Sequence, residues 1–354
     1  MSKIPFNRVN WPTSIFLIST LLISLTAVPL YLWHYGLDGF QVTLFLVLVT
    51  CSSMSITVGY HRLFSHHTFK AGWPVRLGTL IFGAAAFEGS ALNWVADHRR
   101  HHLHVDHEED PYDISKGFFH AHIGWLLFKL RPKPPMNNVS DLLADPLVMW
   151  QHRFTVQIGA LVGFALPALL GYLWGGPTAA LGGFLVGGVL KVVCVQHSTF
   201  FINSLCHYIG KRPYSSRSSA RDSWIMALFT FGEGYHNFHH EFSHDYRNGV
   251  KPWQFDPTKW AIWTMSKLRL ATQLRRVPPE KIQLAEISEQ QRQLELKLSA
   301  KAVQLDKSNH QLLLNAQEYL RRAAQTWEQC KAEYVRVTER KIEASRDRIN
   351  VLKH

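Results

Sequence analysis

Apolar residues in this 354-residue chain are gathered into a few long blocks with charged stretches between them. Four blocks reach the roughly 20 mainly apolar residues that a helix needs to cross the hydrocarbon core of a membrane. They run from about 14–33, 42–58, 154–174 and 179–202. Short loops join the first to the second and the third to the fourth, the latter through Gly175-Gly-Pro177, so the pattern predicts two helical hairpins. A fifth apolar stretch, Val75–Leu92, carries Glu88 and several Gly and Ala residues, and reads as an interfacial or re-entrant helix. Beyond about Pro278 the chain turns to Glu, Gln, Lys, Arg, Ala and Leu. There Leu298, Leu305, Leu312 and Tyr319 step by seven, with Ile287 and Leu294 half a heptad earlier, while Gln291 and Lys301 interrupt the second seam. This part reads either as a coiled coil or as a long solvated helix or hairpin.

The predicted architecture is an all-α integral membrane protein with four transmembrane helices, a cytoplasmic helical cap and a C-terminal helical extension. The membrane domain takes residues 1–262, with the cap drawn from 59–153 and 203–262. Residues 263–277 are a linker, and 278–354 the extension.

Composition alone would mislead, because 47% hydrophobic residues, 18% charged residues and a mean hydropathy of −0.07 describe a soluble protein. The distribution of charge corrects it. Neither hairpin loop contains Lys or Arg, whereas the N-terminus, the stretch between the hairpins and everything after residue 203 are rich in both. The positive-inside rule makes those three regions cytoplasmic. The net charge of +12 comes without zinc-finger spacings or a basic run interleaved with aromatics, which argues against nucleic acid. Cys51, Cys194, Cys206 and Cys330 are scattered, as expected for a chain facing a reducing compartment. The first apolar block lacks a small-residue cleavage signature and reads as an anchor.

On the one predicted cytoplasmic face lie three histidine clusters: His61-Arg-Leu-Phe-Ser-His66, His98-Arg-Arg-His-His102 and His236-Asn-Phe-His-His240. Neutral imidazole is the commonest protein ligand for transition metals, and the eight here exceed what one mononuclear site uses. On a helix, HxxHH sets positions i, i+3 and i+4 on one face. The i, i+5 spacing of His61 and His66 is less natural, so the end of the second block is expected to bend or unwind. Gly232 and Gly234 predict a tight approach to the third cluster. Asn203 and His207, i and i+4 at the end of the fourth block, add a ninth imidazole and an amide suited to holding a metal-bound water. His67, His104, His107, His120, His122, His197 and His244 lack a repeated spacing and read as non-ligands. Asp97 and Glu233 are expected to orient ligand imidazoles through their second ring nitrogen, with Glu108 and Asp110 behind them. An all-imidazole site suits iron, copper or zinc, and dioxygen chemistry at a di-iron centre is the preferred reading.

The surrounding residues extend these clusters into longer motifs. They are Gly59-Tyr-His-Arg-Leu-Phe-Ser-His66, Asp97-His-Arg-Arg-His-His102, Glu109-Asp-Pro-Tyr112 and Gly117-Phe-Phe-x-x-His-x-Gly-Trp125. Asn203-Ser-Leu-Cys-His207, Gly232-Glu-Gly-Tyr-His-Asn-Phe-His-His240 and Asp245-Tyr-Arg247 complete the set. With them the chain resembles the membrane fatty acyl desaturases, particularly the acyl-CoA delta-9 (stearoyl-CoA type) enzymes and their bacterial relatives, over roughly residues 14–262. The resemblance implies a di-iron site (Fe2+/Fe3+) held by His61, His66, His98, His101, His102, His207, His236, His239 and His240, with Asn203 acting through water. It implies O2 as co-substrate and a cis double bond placed in a long-chain acyl group held in a bent tunnel.

Glu88, Trp94, Thr199 and Phe200 match the residues that shape the kink of that tunnel. Glu88 stands where relatives often carry a neutral amide, and Phe200 where Trp is common. Val49 and Ser53, both small, match positions that limit chain length, so about C16–C18 should fit and a larger residue at Ser53 would favour shorter chains. Lys116, Lys129 and Arg131 are candidates for pairing with acyl-carrier phosphates. No donor domain or glycine-rich nucleotide fingerprint occurs, so a separate ferredoxin or cytochrome b5-type protein with its reductase is expected to supply electrons. The resemblance also implies an inner-membrane location in a bacterium, and the C-terminal helix is a candidate for self-association. Alternatives are a lipid hydroxylase or other oxidative modifier on the same scaffold, an acyl-lipid rather than acyl-CoA substrate, and a histidine-cluster metal carrier or sensor.

Overall fold

The computed structural model describes residues 6–130, 134–302 and 310–351. Among these, three helical runs are long and apolar enough to cross a membrane: α1 (Trp11–Tyr35), α2 (Gly39–Ser65) and α5 (Pro146–His207). The buried face of α1 is Ser14, Leu17, Thr20, Ser24, Val28 and Tyr31, whereas Ile15, Ile18, Leu22, Leu25 and Leu30 are exposed. Small and hydroxylated residues inward with large apolar residues outward is the pattern of a helix solvated by lipid. Asp38 caps α2 by accepting from Gln41 N at 2.7 Å, and Gln41 Nε2 donates to the Tyr31 hydroxyl at 2.6 Å, which closes the first hairpin.

The last two apolar blocks form the single run α5, whose helical geometry fails at Gly175 (φ −150°, ψ 25°) and Gly176 (φ 72°, ψ −158°). The chain reverses there, because only glycine adopts the Gly176 conformation without strain. A Cβ added to Gly171 would strike the Ala179 backbone, and one on Gly183 would strike the Pro167 backbone. The two arms of α5 therefore lie antiparallel with backbones in near contact, as small-residue seams allow.

At 27 residues α2 would be about 40 Å long, more than the roughly 30 Å of a hydrocarbon core. Its last turns carry the first histidine cluster. These turns do not unwind as the HxxxxH spacing suggests: Ser55–Ser65 winds as a π-helix, and His66 N donates to His61 O at 3.2 Å. The i→i+5 bonding of a π-helix stacks residues five apart, so the wider winding places His61 and His66 on one face.

The first of two compact units comprises Met1–Arg212 and Ser216–Val277. Besides α1, α2 and α5 it holds α3 (Trp73–Ala84), α4 (Ala91–His104), α6 (Trp224–Phe229), α7 (His236–Glu241) and α8 (Pro257–Lys267). At 12 residues α3 is too short to span. Residues 263–277, expected as a linker, contain the end of α8 and a strand, β2 (Ala271–Thr272), paired antiparallel to β1 (Lys70–Ala71). The core gathers around the π-wound end of α2, with Ile56, Val58, Tyr60, Leu63 and Phe64 buried against Leu80, Leu92, Val95 and Ile262. Within this core Arg62 is 1% exposed and donates to Glu233, Asp256 and the Tyr246 carbonyl. Two carboxylates around one guanidinium offset the burial of all three charges.

The second unit comprises Pro213–Ser215 and Pro278–His354, in which α9 (Pro279–Ala302) packs on α10 (His310–Val351). Of the heptad positions, Ile287, Leu294 and Tyr319 are exposed. Leu305 lies outside the described residues, as do the side chains of Leu298 and Leu312.

Gly183→Ala tests the arm seam against Gly39→Ala, where a Cβ meets nothing within 4 Å. Overpacking of this kind costs about 1–3 kcal/mol. The unfolding midpoint in detergent is expected to fall for Gly183→Ala and to stay unchanged for Gly39→Ala.

Candidate metal centre

Both HxxHH clusters lie on helices, His98, His101 and His102 on α4 and His236, His239 and His240 on α7. His61 and His66 come from the π-wound end of α2, and His207 from the end of α5. Gly232 (φ 98°) and Gly234 let the segment entering α7 lie against α6 and Asp256, since a Cβ on Gly234 would strike the Met226–Ala227 backbone and one on Gly232 would strike Asp256. The nine imidazoles converge as two groups. His61, His66, His98, His102 and His239 form one, and His101, His207, His236 and His240 the other, the ligand atoms of each lying within 4.8 Å of one another.

Across the site Nε2 atoms face Nε2 atoms. The separations are 3.0 Å for His61–His239, 2.8 Å for His66–His98 and 2.9 Å for His239–His102. In the second group they are 3.2 Å for His101–His240, 3.1 Å for His236–His207 and 3.1 Å for His240–His236. Hydrogen bonds between imidazoles do not explain this, because one ring nitrogen of His239 or His236 faces two others. Two nitrogens each about 2.1 Å from a metal and at right angles to each other lie about 3.0 Å apart. The donor set therefore fits two metal ions. Burial, and after it the neighbouring imidazoles, holds His66, His98, His102, His236, His239 and His240 well below the ordinary histidine range, which keeps their lone pairs free.

The second ring nitrogens are held from outside. Glu233 lies 2.9 Å from His61 Nδ1 and Asp110 lies 2.8 Å from His101 Nδ1. The Ser219 hydroxyl is 2.7 Å from His207 Nδ1 and is itself bound to Asp106. Burial would raise Glu233, but Arg62 and His61 outweigh it and hold its carboxyl down at about 2. Such partners fix ring orientation and tautomer.

A cavity of about 200 Å³ adjoins the site, lined by Phe16, Phe87, Glu88, Trp94, Tyr112, Thr199, Phe200 and Asn203 among others. Two aromatic walls touch the imidazoles. Trp94 stacks on His98 at 4.8 Å, and Tyr112 lies 4.5 Å from His101, with its hydroxyl 3.4 Å from His98 Nδ1. Glu88 accepts from Trp94 Nε1 at 3.2 Å and from Thr199 Oγ1 at 2.8 Å. A wider groove of about 1020 Å³ shares Asn93, Asp97, Trp125 and Leu126 with the cavity, and Arg100 and Lys129 also line it.

The Fatty acid desaturase family profile matches residues 38–272. The chain belongs to the fatty acid desaturase family. It is 39% identical over 305 residues to acyl-CoA desaturase 1 of Saccharomyces cerevisiae, covering 84% of this chain and 59% of that protein. The identity is 39% over 295 residues to a probable acyl-CoA desaturase of Schizosaccharomyces pombe, covering 82% and 61%. To stearoyl-CoA desaturase 2 of Mus musculus it is 37% over 231 residues, covering 64% of each chain. The chain thus spans about 60% of the length of the two yeast relatives.

Within this desaturase family frame, the structure gathers all nine histidines picked from the sequence, and places Asn203 at the cavity wall beside them. Glu88, Trp94, Thr199 and Phe200 line the cavity, whereas Val49 packs into the core and Ser53 is buried, and neither lines it. Asp97 orients no imidazole among the described contacts. It accepts from Arg100 at 3.3 Å, because a helix turns about 100° per residue and carries it away from the face of His98. Asp110, a weaker candidate from the sequence, takes that role on His101, and Tyr112, Ser219 and Asp106, which were not singled out for it, act beside it. Lys116 donates to Glu108 O at 2.9 Å, Lys129 faces the groove, and Arg131 lies outside the described residues. His122 pairs with His197 at 3.0 Å and with Ser204 at 3.0 Å, apart from both groups.

His239→Ala and His236→Ala each break one group. Bound metal, measured by elemental analysis after dialysis against a chelator, is expected to fall by about half in either variant, whereas His122→Ala keeps the full amount.

Proposed function

We propose that this protein is a di-iron, dioxygen-dependent fatty acyl desaturase that introduces a cis double bond, at the delta-9 position, into a long-chain acyl-CoA. The observation that carries this reading is the cavity whose walls, Trp94 and Tyr112, rest directly on ligand histidines of both groups. A chain lying in it has its methylenes beside the metal centre and nothing reactive nearer. Two iron ions, when bound, supply the reduction of dioxygen and the removal of two hydrogens from adjacent carbons.

The residues of the chain do the rest. The nine histidines hold the ions, Asn203 holds a metal-bound water, and Glu233 and Asp110 keep His61 and His101 turned toward the centre. Phe16, Leu17, Phe87 and Phe200 give the cavity apolar walls against which an acyl chain can lie. Arg100 and Lys129 at the groove suit the phosphates of an acyl carrier, and the names of the yeast and mouse relatives favour CoA as that carrier. A separate ferredoxin or cytochrome b5-type protein delivers the electrons.

The same reading takes the two arms of α5 as separate spans, four in all, with both termini and the site on the cytoplasmic face of a bacterial inner membrane. It divides the chain into a desaturase domain, 1–262, and an extension, 278–354, through which copies associate. The reversal at Gly175-Gly176 and the absence of Lys and Arg from both hairpin loops support the topology.

Expression in a host lacking its own desaturase, followed by mass-spectrometric location of double bonds, tests the reading. Delta-9 unsaturated lipids are expected from the wild type and none from His101→Ala. A hydroxylated product would replace the reading with the hydroxylase alternative.

Burial pushes the Glu88 carboxyl up to about 8, against the two hydrogen bonds it accepts from Thr199 and Trp94. Raised above its unfolded value, it contributes stability that is complete below about 4.5 and is lost as pH rises through about 8. Near neutrality the carboxyl is uncharged and tolerates an apolar chain. Above about pH 8 it ionises inside the cavity, so KM for the acyl substrate is expected to rise there in the wild type and to stay level in Glu88→Gln.

A further inference from the structure

Three side chains on the returning arm of α5 reach one turn, residues 85–89, between α3 and α4. Lys191 Nζ donates to the Ala85 carbonyl at 2.8 Å, Gln196 Nε2 to the Phe87 carbonyl at 3.0 Å, and Thr199 Oγ1 to Glu88 Oε1 at 2.8 Å. The turn needs holding, since Phe87 (φ 56°) and Gly89 (φ 91°) both sit in the left-handed region, which is strained for a bulky residue such as Phe87.

Lys191 is 0% exposed and has no carboxylate within ion-pair distance among the described residues. A buried ammonium in a membrane arm is costly. What it meets is the C-terminal end of α3, where free carbonyls and the helix dipole present negative charge. A methionine would fill the same space without that cost, so the contribution of the amino group lies in the backbone it grips. From that backbone the linkage runs outward: Glu88 binds Trp94, and Trp94 stacks on His98.

We propose that Lys191 is a positioning residue for the acyl cavity. With Gln196 it clamps the 85–89 turn from the membrane arm, sets how far the Glu88–Trp94 pair projects into the cavity, and so decides which carbons of the chain lie opposite the histidine groups. This rests on the desaturase reading above.

The experiment compares wild type, Lys191→Met, Lys191→Gln, Lys191→Arg and Gln196→Leu in a desaturase-deficient host, reading the distribution of double-bond positions rather than the yield. Small displacements at a reacting centre change rates by up to about 100-fold, so minor positional isomers are expected to rise by about tenfold in Lys191→Met and Gln196→Leu. Lys191→Arg, which keeps a cation for the Ala85 carbonyl, restores the wild-type distribution. If Lys191→Met fails to accumulate, Lys191→Gln decides, since Lys191 lies away from the cavity lining and a glutamine there is too short to keep the bond to the Ala85 carbonyl. A wild-type distribution in Lys191→Gln overturns the clamp, whereas Gln196, which lines the cavity, changes a wall as well as a bond. Product from the wild type with an unchanged distribution in Gln196→Leu and Lys191→Met, or an arginine variant that behaves like methionine, overturns the clamp alone. A wild type that makes no unsaturated lipid overturns the desaturase reading and the clamp with it.

Discussion

Nine imidazole nitrogens facing one another at 2.8–3.2 Å form an arrangement that protons cannot satisfy. With Glu233, Asp110 and Ser219 engaging Nδ1 of His61, His101 and His207, the inward nitrogens of these rings are left as bare lone pairs. Lone pairs in a buried space repel unless a cation lies between them. The polypeptide around the site must hold this convergence, which a cation between the rings would relieve.

The devices that hold it come from elements far apart in the chain. The π-winding of α2 turns an i, i+5 spacing into a shared face. Arg62, on the same winding, binds Glu233 and Asp256, while Glu233 also reaches His61. One buried guanidinium thus ties the end of a membrane helix to the approach of α7 and to the cap of α8, where Lys259 N donates to Asp256 at 2.8 Å. Removing the arginine would strip two buried carboxylates of the positive charge they share, leaving them only hydrogen bonds such as those from His61 and Lys259 N, which is far costlier than losing a surface ion pair.

The sequence made the converging histidines legible because histidine in repeated spacing has no packing explanation, and it made the apolar blocks legible because lipid demands length. It was less informative where position depends on helical phase or on distant pairing. Asp97 is adjacent to His98 in the chain and points elsewhere, while Asp110 reaches His101 from nine residues away. The end of α2 was expected to bend because an α-helical period was assumed, and a π-helix has a different one. Asp106 acts on His207 only through Ser219, more than a hundred residues later, and no local pattern carries such a link. Val49 packs against the core and Ser53 is buried, and neither is among the residues that line the cavity.

An acyl chain offers no charge or hydrogen-bonding group along its methylenes, so a protein can locate one carbon only through the shape of the walls. Walls made of side chains hold their place only as well as the backbone beneath them. One wall comes from the segment 85–91, of which Phe87, Glu88 and Gly89 line the cavity, and its fixings come from α5 on either side. Lys191, Gln196 and Thr199 grip it from the returning arm. From the outgoing arm His152 meets Ser90 at 2.7 Å and Gln151 accepts from Ala91 N at 3.1 Å. The membrane arms therefore do more than anchor the protein in lipid. In the desaturase reading proposed above, they are the frame against which a featureless acyl chain would be measured, through the polar residues they bury.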